Sequence, residues 1–261
     1  GTTIAVGADG DDRRGAVHIL GLLSDGSVDE ARPALTFHNG TAGIALDRYD
    51  YFGDGLAYQQ TKDGRMLLVV GAYGDDDGGS GRGTVYIFTL SVGTGDGWLS
   101  VASVVKISST AGGLPPSTLS NVDHFGFSVA FVSDSVLAVG SIRHDSWRGK
   151  VLLLSLDDDL TVTSVSEYTP PDLVPFTLLG WSLASVGDLD GDGAPEEVEP
   201  AGEGVAAEEG EGVVVVGDDD AAGAGVAGER ELVPVRAGLV GGDQDAGQRL
   251  SAAVLHHDGH E

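Results

Sequence analysis

Asp188, Asp190 and Asp192 put three carboxylates on alternate residues of the stretch Asp188-Leu-Asp-Gly-Asp-Gly-Ala-Pro-Glu196, and Glu196 closes it with a fourth. Alternate residues of a tight loop turn their oxygens toward one point. Gly193 permits the sharp turn, and Ala194 offers a backbone carbonyl at the seventh position. A hard divalent cation such as calcium needs this kind of cage, six to eight oxygens at about 2.3–2.6 Å. Asp188, Asp190, Asp192, Ala194 and Glu196 are therefore the predicted ligands of a single Ca2+.

Extended to Glu199, the same residues also satisfy the twelve-residue helix-loop-helix calcium pattern. Their flanks do not. Trp181 to Val186 reads as a strand, Pro195 interrupts the second half of the loop, and Pro200 would break an exiting helix. An acidic turn that holds no metal is the remaining alternative.

Other candidates carry less. Gly126-Phe-Ser128-Val-Ala130 and Gly180-Trp-Ser182-Leu-Ala184 come within one residue of the G-x-S-x-G nucleophile elbow, but that motif needs a strand-to-helix turn. A matching stretch reads Gly53-Asp-Gly55-Leu-Ala57, so the serine position asks only for a small residue. Asp75–Asp77, Asp157–Asp159 and Asp218–Asp220 read as solvated hairpin tips, since consecutive side chains diverge. His256, His257 and His260 have no helix or strand to fix them as metal ligands. No catalytic residue is assigned, and the expectation is a protein that is not an enzyme.

The elements that must position these residues repeat. Asp50-Tyr-Phe-Gly-Asp-Gly-Leu-Ala57 leads to the apolar run Met66–Val70, then Gly71-Ala72-Tyr73-Gly74-Asp75, then Gly83 and the strand Thr84–Leu90. The unit returns as Asp123-His-Phe-Gly126, Val136–Gly140 and Gly149–Leu154, and its second half opens the chain at Ile4–Ala8 and Gly15–Leu20. The glycine before the second of these strands falls at 15, 83 and 149, intervals of 68 and 66 residues, and a period of this kind marks an array or propeller. Leu67–Val70 and Val85–Phe88 are apolar on both faces, as a sheet sandwiched between sheets requires.

At these residues the chain resembles the FG-GAP repeat family, the integrin α-subunit type of β-propeller. Phe52-Gly53 and Phe125-Gly126 match the FG half, Val70-Gly71-Ala72 matches the GAP half with Tyr73 in place of proline, and Asp188–Glu196 matches the family's calcium loop. Glu196 replaces the usual closing aspartate, and Glu197 replaces an apolar strand start. The likeness covers about residues 1 to 196.

The fold predicted is all-β: one partial β-propeller over 1–261, about four blades represented, with units at about 1–24, 49–92, 121–156 and 176–240. The resemblance implies a seven-bladed ring of which this is part; closure of a smaller ring is the alternative, since the chain begins with half a unit and ends near another corner. Residues 25–48 read as a polar connection, Gly93 to Ser120 as a turn-rich connection with one strand at Trp98 to Ile107, and 160–187 as containing an outer strand. All sixteen aromatic residues lie at or before Trp181, and 199–212 is of low complexity and expected to be disordered. Val213–Val216 looks like a fourth copy of the strand, and Gly247–Val254 like a decayed fifth corner.

Forty-one acidic against fourteen basic side chains give a net charge of −27, which argues against nucleic acid as a partner. Without cysteine there is neither a disulfide framework nor a thiolate site. No apolar run approaches the roughly 20 residues of a membrane helix, so no span is expected within this chain. Because the chain opens on Gly1, inside a repeat, it reads as a fragment or processed chain. Asn39-Gly40-Thr41 is a glycosylation sequon, relevant if the chain is secreted.

The resemblance implies a non-catalytic, calcium-binding module for extracellular ligand binding or cell adhesion. Its expected place is outside the cell or on the cell surface, with a protein or glycan ligand on the propeller face. The alternatives are an accessory propeller of a larger, phospholipase-like enzyme and a degenerate scaffold.

Overall fold

Each apolar run of the sequence becomes a strand, and the glycine-rich and acidic stretches between runs become turns. A computed structural model describes residues 2–93 and 98–185, together with the backbone of two short strands at 213–216 and 252–255. In chain order the strands are β1 (Thr2–Ala8), β2 (Ala16–Leu22), β3 (Leu35–Phe37), β4 (Phe52–Gln60), β5 (Met66–Ala72), β6 (Thr84–Val92), β7 (Leu99–Ile107), β8 (Phe125–Ser133), β9 (Val136–Ser141), β10 (Lys150–Leu156), β11 (Val162–Tyr168), β12 (Ser182–Ser185), β13 (Val213–Val216) and β14 (Ala252–Leu255). They form three four-stranded antiparallel sheets, ordered β14-β1-β2-β3, β4-β5-β6-β7 and β8-β9-β10-β11. Helix among the described residues is confined to turns of three or four residues. This is the arrangement expected of propeller blades.

The glycines that set the period are the points where successive sheets touch. A Cβ on Gly7, Gly71 or Gly140 would stand 1.9, 1.8 or 2.1 Å from the carbonyl oxygen of Gly53, Gly126 or Gly180, the corner glycine of the next sheet. Gly15, Gly83 and Gly149 adopt positive φ and form isolated bridges to Phe52, Phe125 and Leu179. The N–H of each of these corner residues donates to the carbonyl of Arg14, Arg82 or Arg148, at 2.9, 3.0 and 2.8 Å. Phe52, Phe125 and Leu179 thus hold one equivalent buried position, as the repeat predicts.

Between the sheets lie the cores. Alternate residues of β5 serve two of them: Leu68 and Val70 pack with Val17, Ile19, Phe37 and Phe88, whereas Leu67 and Val69 pack with Val129, Phe131, Val139 and Leu152. Every residue of β5 is buried, which explains why its sequence does not alternate.

Three features differ from the sequence reading. The connection 25–48 contains β3, whose fully buried Phe37 stacks on Phe88 at 4.6 Å. The first sheet takes its fourth strand from the far end of the chain: β14, which overlaps the stretch read as a fifth corner, pairs antiparallel with β1 from Thr3↔Leu255 to Val6↔Ala252. Finally, β12 pairs with β13 in parallel, whereas the strands of the three four-stranded sheets pair antiparallel.

Candidate functional site

The predicted calcium ligands Asp188, Asp190, Asp192, Ala194 and Glu196 lie outside the described residues, as do the 199–212 stretch, Asp218–Asp220, His256, His257 and His260. The turns that correspond to the acidic loop in the two preceding sheets are described, and in each a carboxylate is met by protein donors. In the β4–β5 turn the Thr61 hydroxyl and the Arg65 guanidinium, 2.9 Å from Asp63, hold the Asp63 carboxyl below its ordinary range. In the β8–β9 turn Asp134 accepts from Gln59 Nε2 at 2.5 Å and from the Lys62 N–H at 2.9 Å. Among the described residues no three histidine, aspartate or glutamate side chains are grouped to hold a metal ion.

The serines of the elbow-like motifs have different surroundings. Ser128 is buried on β8, and its hydroxyl donates to the Gly180 carbonyl at 2.5 Å. Ser182 opens β12 and is exposed. At Gly55, the position matching Ser128, an added Cβ would meet the Gly126 carbonyl at 2.8 Å. Serine and glycine thus both serve the contact with the next corner.

The acidic loop at 75–77 is not the solvated tip the sequence suggested. Asp75 is buried, and its carboxylate lies 3.2 Å from the Lys106 ammonium, which also contacts Asp77 at 3.1 Å. Asp77 further accepts from the Ser108 and Thr110 hydroxyls, both at 2.7 Å. Burial works against the charge of Lys106, but Asp75 and its other partners outweigh it and raise the ammonium's pKa. By contrast Asp157–Asp159, at the other end of the sheets, are exposed as expected.

Because the strands run antiparallel and the corners bridge sheet to sheet, six connections share one end: 9–15, 38–51, 73–83, 108–124, 142–149 and 169–181. Across this end runs a row of rings. Tyr49 and Tyr51 stand 6.2 Å apart, Tyr51 stacks flat on Tyr73 at 4.8 Å, and Tyr73 reaches His124 at 4.9 Å. His124 accepts from Arg143 at 3.3 Å, the Arg143 guanidinium lies 3.9 Å over the Trp147 ring, and Trp147 meets Phe176 at 6.4 Å. Burial, aided by Arg143, pushes His124 down to about 4, so at neutral pH its ring is uncharged and can accept that hydrogen bond. A branch from Tyr73 runs through Phe127 to Trp181.

Six of the eight arginines in the described residues belong to this end: Arg13, Arg14, Arg48, Arg82, Arg143 and Arg148. Arg14, Arg82 and Arg148 precede the three repeat glycines and tie down the chain that leads to the next corner. They donate to the Leu46 carbonyl, the Asn121 side chain and the Leu173 carbonyl, at 2.6, 3.1 and 2.9 Å. Arg13 and Arg48 instead lie over the Tyr49 ring, at 5.7 and 5.9 Å. Beside them is an open recess of about 330 Å³ lined by Asp11, Asp12, Arg14, His38 and Asn39.

Of this row the sequence reading marks only Tyr73, as the residue in place of a proline, and gives it no binding role. A usable signal existed: Arg-Gly recurs at 14–15, 82–83 and 148–149, and the residue before each corner, Tyr51, His124 and Leu178, has positive φ. Two of those three are aromatic.

Residues 46–88, from the end of the first connection through the corner and β5 to Phe88 of β6, match the FG-GAP repeat family. No curated protein matches the chain. Among the described residues no helix is long and apolar enough to cross a membrane.

Proposed function

We propose that this chain, which carries an FG-GAP repeat at residues 46–88, is a non-catalytic propeller module that binds a protein or glycan ligand on the end of its sheets where the connections gather. The observation that carries this reading is the row of rings and guanidiniums from Tyr49 to Phe176. Loops borne on a rigid stack of sheets are where such proteins place recognition, and large aromatic and arginine side chains dominate binding energy where they cluster.

The reading extends to features that lie beyond the described residues. Asp188, Asp190, Asp192, the Ala194 carbonyl and Glu196 are a donor set suited to Ca2+, and in sequence they follow the corner at Leu179 as the β4–β5 turn follows the corner at Phe52. Calcium would there stiffen a repeat. The blades in hand, about four, fit part of a seven-bladed ring, and the setting proposed is extracellular, in ligand binding or adhesion, with Asn39 exposed for glycosylation.

The test is to display the folded chain against arrays of extracellular proteins and glycans, beside Tyr49→Ala and Phe176→Ala. A ligand that binds the wild type and is lost from both variants supports the ligand face. Ligands that bind all three alike, or none at all, count against it.

A further inference from the structure

We propose that Asp50 is a proton-operated latch: protonated, it holds the end of the 38–51 connection against the second sheet, and ionised, it lets residues 47–51 open. The third sheet shows what an ionised aspartate at this place requires. There Asp123 is met by His144 at 3.1 Å and by Lys150 at 3.7 Å. In the second sheet both places are filled differently. Ala72 and Ser141 pair with the corner residues Phe52 and Phe125, so Asp75, three residues on, stands where the third sheet has His144. Thr84 stands where it has Lys150, opposite Ala72 as Lys150 is opposite Ser141. Thr84 is fully buried, and its hydroxyl has no hydrogen-bond partner among the described residues. A carboxylate and an uncharged hydroxyl thus replace the two groups that balance Asp123, and a single proton on Asp50 removes the buried charge they leave unbalanced.

The elements packed around Asp50 do not supply the missing charge. Its own connection presents the Asp47 carboxylate, and the 73–83 connection presents Asp75. From β7 comes Lys106, but its ammonium is engaged by Asp75 at 3.2 Å and by Asp77 at 3.1 Å. From β6 comes the Tyr86 hydroxyl, which donates to the Ala45 carbonyl at 3.4 Å. The 9–15 connection brings Arg13 and Arg14, whose guanidiniums go to the Tyr49 hydroxyl at 2.9 Å and the Leu46 carbonyl at 2.6 Å. Asp47, Asp50, Asp75 and Asp77 therefore have one ammonium among them. A buried charge without a partner is costly, and burial, reinforced by Asp75 and Asp47, pushes Asp50 up to about 6. Because this exceeds the ordinary 3.8, docking draws its full benefit below 3.8 and loses it as pH rises through about 6.

The bonds of Asp50 define what opens. Its carboxyl accepts the Asp47 N–H at 2.7 Å, its carbonyl accepts the Gly74 N–H at 3.1 Å, and the neighbouring Tyr49 N–H donates to the Arg13 carbonyl. Ile44 and Leu46 on one side and Phe52 on the other are buried in the core between the first two sheets, so they anchor both ends. Between the anchors, Tyr49 and Tyr51 are held at positive φ, 76° and 54°, a strained conformation for residues with a Cβ that opening releases. Opening also lifts Tyr51 from its stack on Tyr73.

The experiment follows amide hydrogen exchange of the folded chain from pH 5 to pH 8, each rate divided by the intrinsic rate of that amide at the same pH. The expected result is that protection of the Asp47, Tyr49 and Gly74 amides falls about tenfold over this range, the ratio given by about 6 in the docked state and 3.8 in the open one, while the amides of β5 keep theirs. In Asp50→Asn, which still accepts the Asp47 N–H but cannot ionise, the three amides keep the same protection at both ends of the range. Circular dichroism verifies that this variant is folded. The latch is overturned if protection does not fall in the wild type, if it falls equally in Asp50→Asn, or if the β5 amides lose theirs in parallel, which is opening of the whole sheet. It is also overturned if potassium, replacing tetramethylammonium at constant ionic strength, restores protection at pH 8, since a metal ion rather than a proton then balances Asp50.

Discussion

Asp50 and Asp123 hold the same place in successive sheets, two residues before the corner, yet their surroundings drive their protonation in opposite directions. Each is buried and accepts a backbone N–H from three residues earlier, Asp47 at 2.7 Å and Ser120 at 2.9 Å. Burial pushes Asp50 up to about 6, reinforced by the negative charges of Asp75 and Asp47. At Asp123 burial pushes the same way, but His144 at 3.1 Å, the Ser120 N–H and Lys150 at 3.7 Å overcome it and hold the carboxyl below its ordinary range.

The two residues therefore contribute to stability in opposite pH windows. A carboxyl with a raised folded pKa adds stability that is full below its unfolded value of 3.8 and lost as pH rises through about 6. Asp50→Asn, which can still accept the Asp47 N–H, should raise the melting temperature at pH 8 and change it little at pH 4. Asp123 has a lowered folded value, so its contribution is present above 3.8 and lost as pH falls through that folded value. Asp123→Asn should cost most near pH 7 and least in strong acid. Thermal melts from pH 3 to 8 decide this, and an Asp50→Asn variant that loses more stability at pH 8 than at pH 4 would refute the assignment.

Two glycine substitutions separate sheet contact from backbone strain. In Gly71→Ala the new methyl would stand 1.8 Å from the Gly126 carbonyl, against backbone that cannot swing aside. A loss of about 3 kcal/mol or more is expected, the upper range for overpacking. Gly64→Ala has positive φ but open space around it, so about 1 kcal/mol of left-handed strain is the whole cost. Urea unfolding of both variants gives the comparison, and equal losses would mean that the sheets do not meet at Gly71.

These contacts explain what the sequence could and could not reveal. The corner and the glycine of the following strand were legible because backbone laid against backbone tolerates only glycine, and this writes a fixed spacing into the chain. The fully apolar β5 was legible for a related reason, since both its faces are covered. β3 was not, because three residues carry no period, and the pairing of β14 with β1 joins segments with no shared pattern. The ion pairs were hidden by exchange between strands. Thr84 opposite Ala72 corresponds to Lys150 opposite Ser141, and Lys106 opposite Tyr86 corresponds to Glu167 opposite Leu152. The second and third sheets thus each bring one ammonium to their carboxylates, Lys106 from β7 and Lys150 from β10, and in a residue-by-residue alignment the positions look unrelated. The ring row escaped because its members come from several connections that are neighbours only in the folded chain.

Ser128 offers a test of its structural role. Ser128→Ala removes the donor to the Gly180 carbonyl and leaves that oxygen without it in a buried setting, a cost of about 1–3 kcal/mol. Ser128→Gly reproduces the residue that the preceding sheet uses at Gly55 and should fold to the same structure with a loss of similar size. Neither change should alter any hydrolysis by the full-length protein. A specific loss of hydrolysis with an unchanged melting temperature would make Ser128 a nucleophile after all.

Calcium is expected to bind once, at Asp188, Asp190, Asp192, the Ala194 carbonyl and Glu196. Four carboxylates within nine residues repel one another at neutral pH, and a divalent cation turns that repulsion into attraction. In the β4–β5 turn the single carboxylate of Asp63 meets an internal cation, Arg65, at 2.9 Å, whereas the 188–196 stretch contains no basic residue to do the same. Binding to the folded form alone raises stability by RT ln(1 + [Ca]/Kd), about 2.7 kcal/mol at a hundredfold excess over Kd. Magnesium should substitute poorly, since it holds its waters and demands a tighter octahedron. Asp190→Ala should abolish both the binding heat in calorimetry and the calcium-dependent rise in melting temperature, while Asp63→Ala should leave both intact. If the folded wild-type chain takes up no calcium at millimolar concentration, or Asp190→Ala binds as before, the ligand set is wrong. If Asp63→Ala abolishes binding, the cation sits at the second repeat and the carboxylates of 188–196 are a solvated turn.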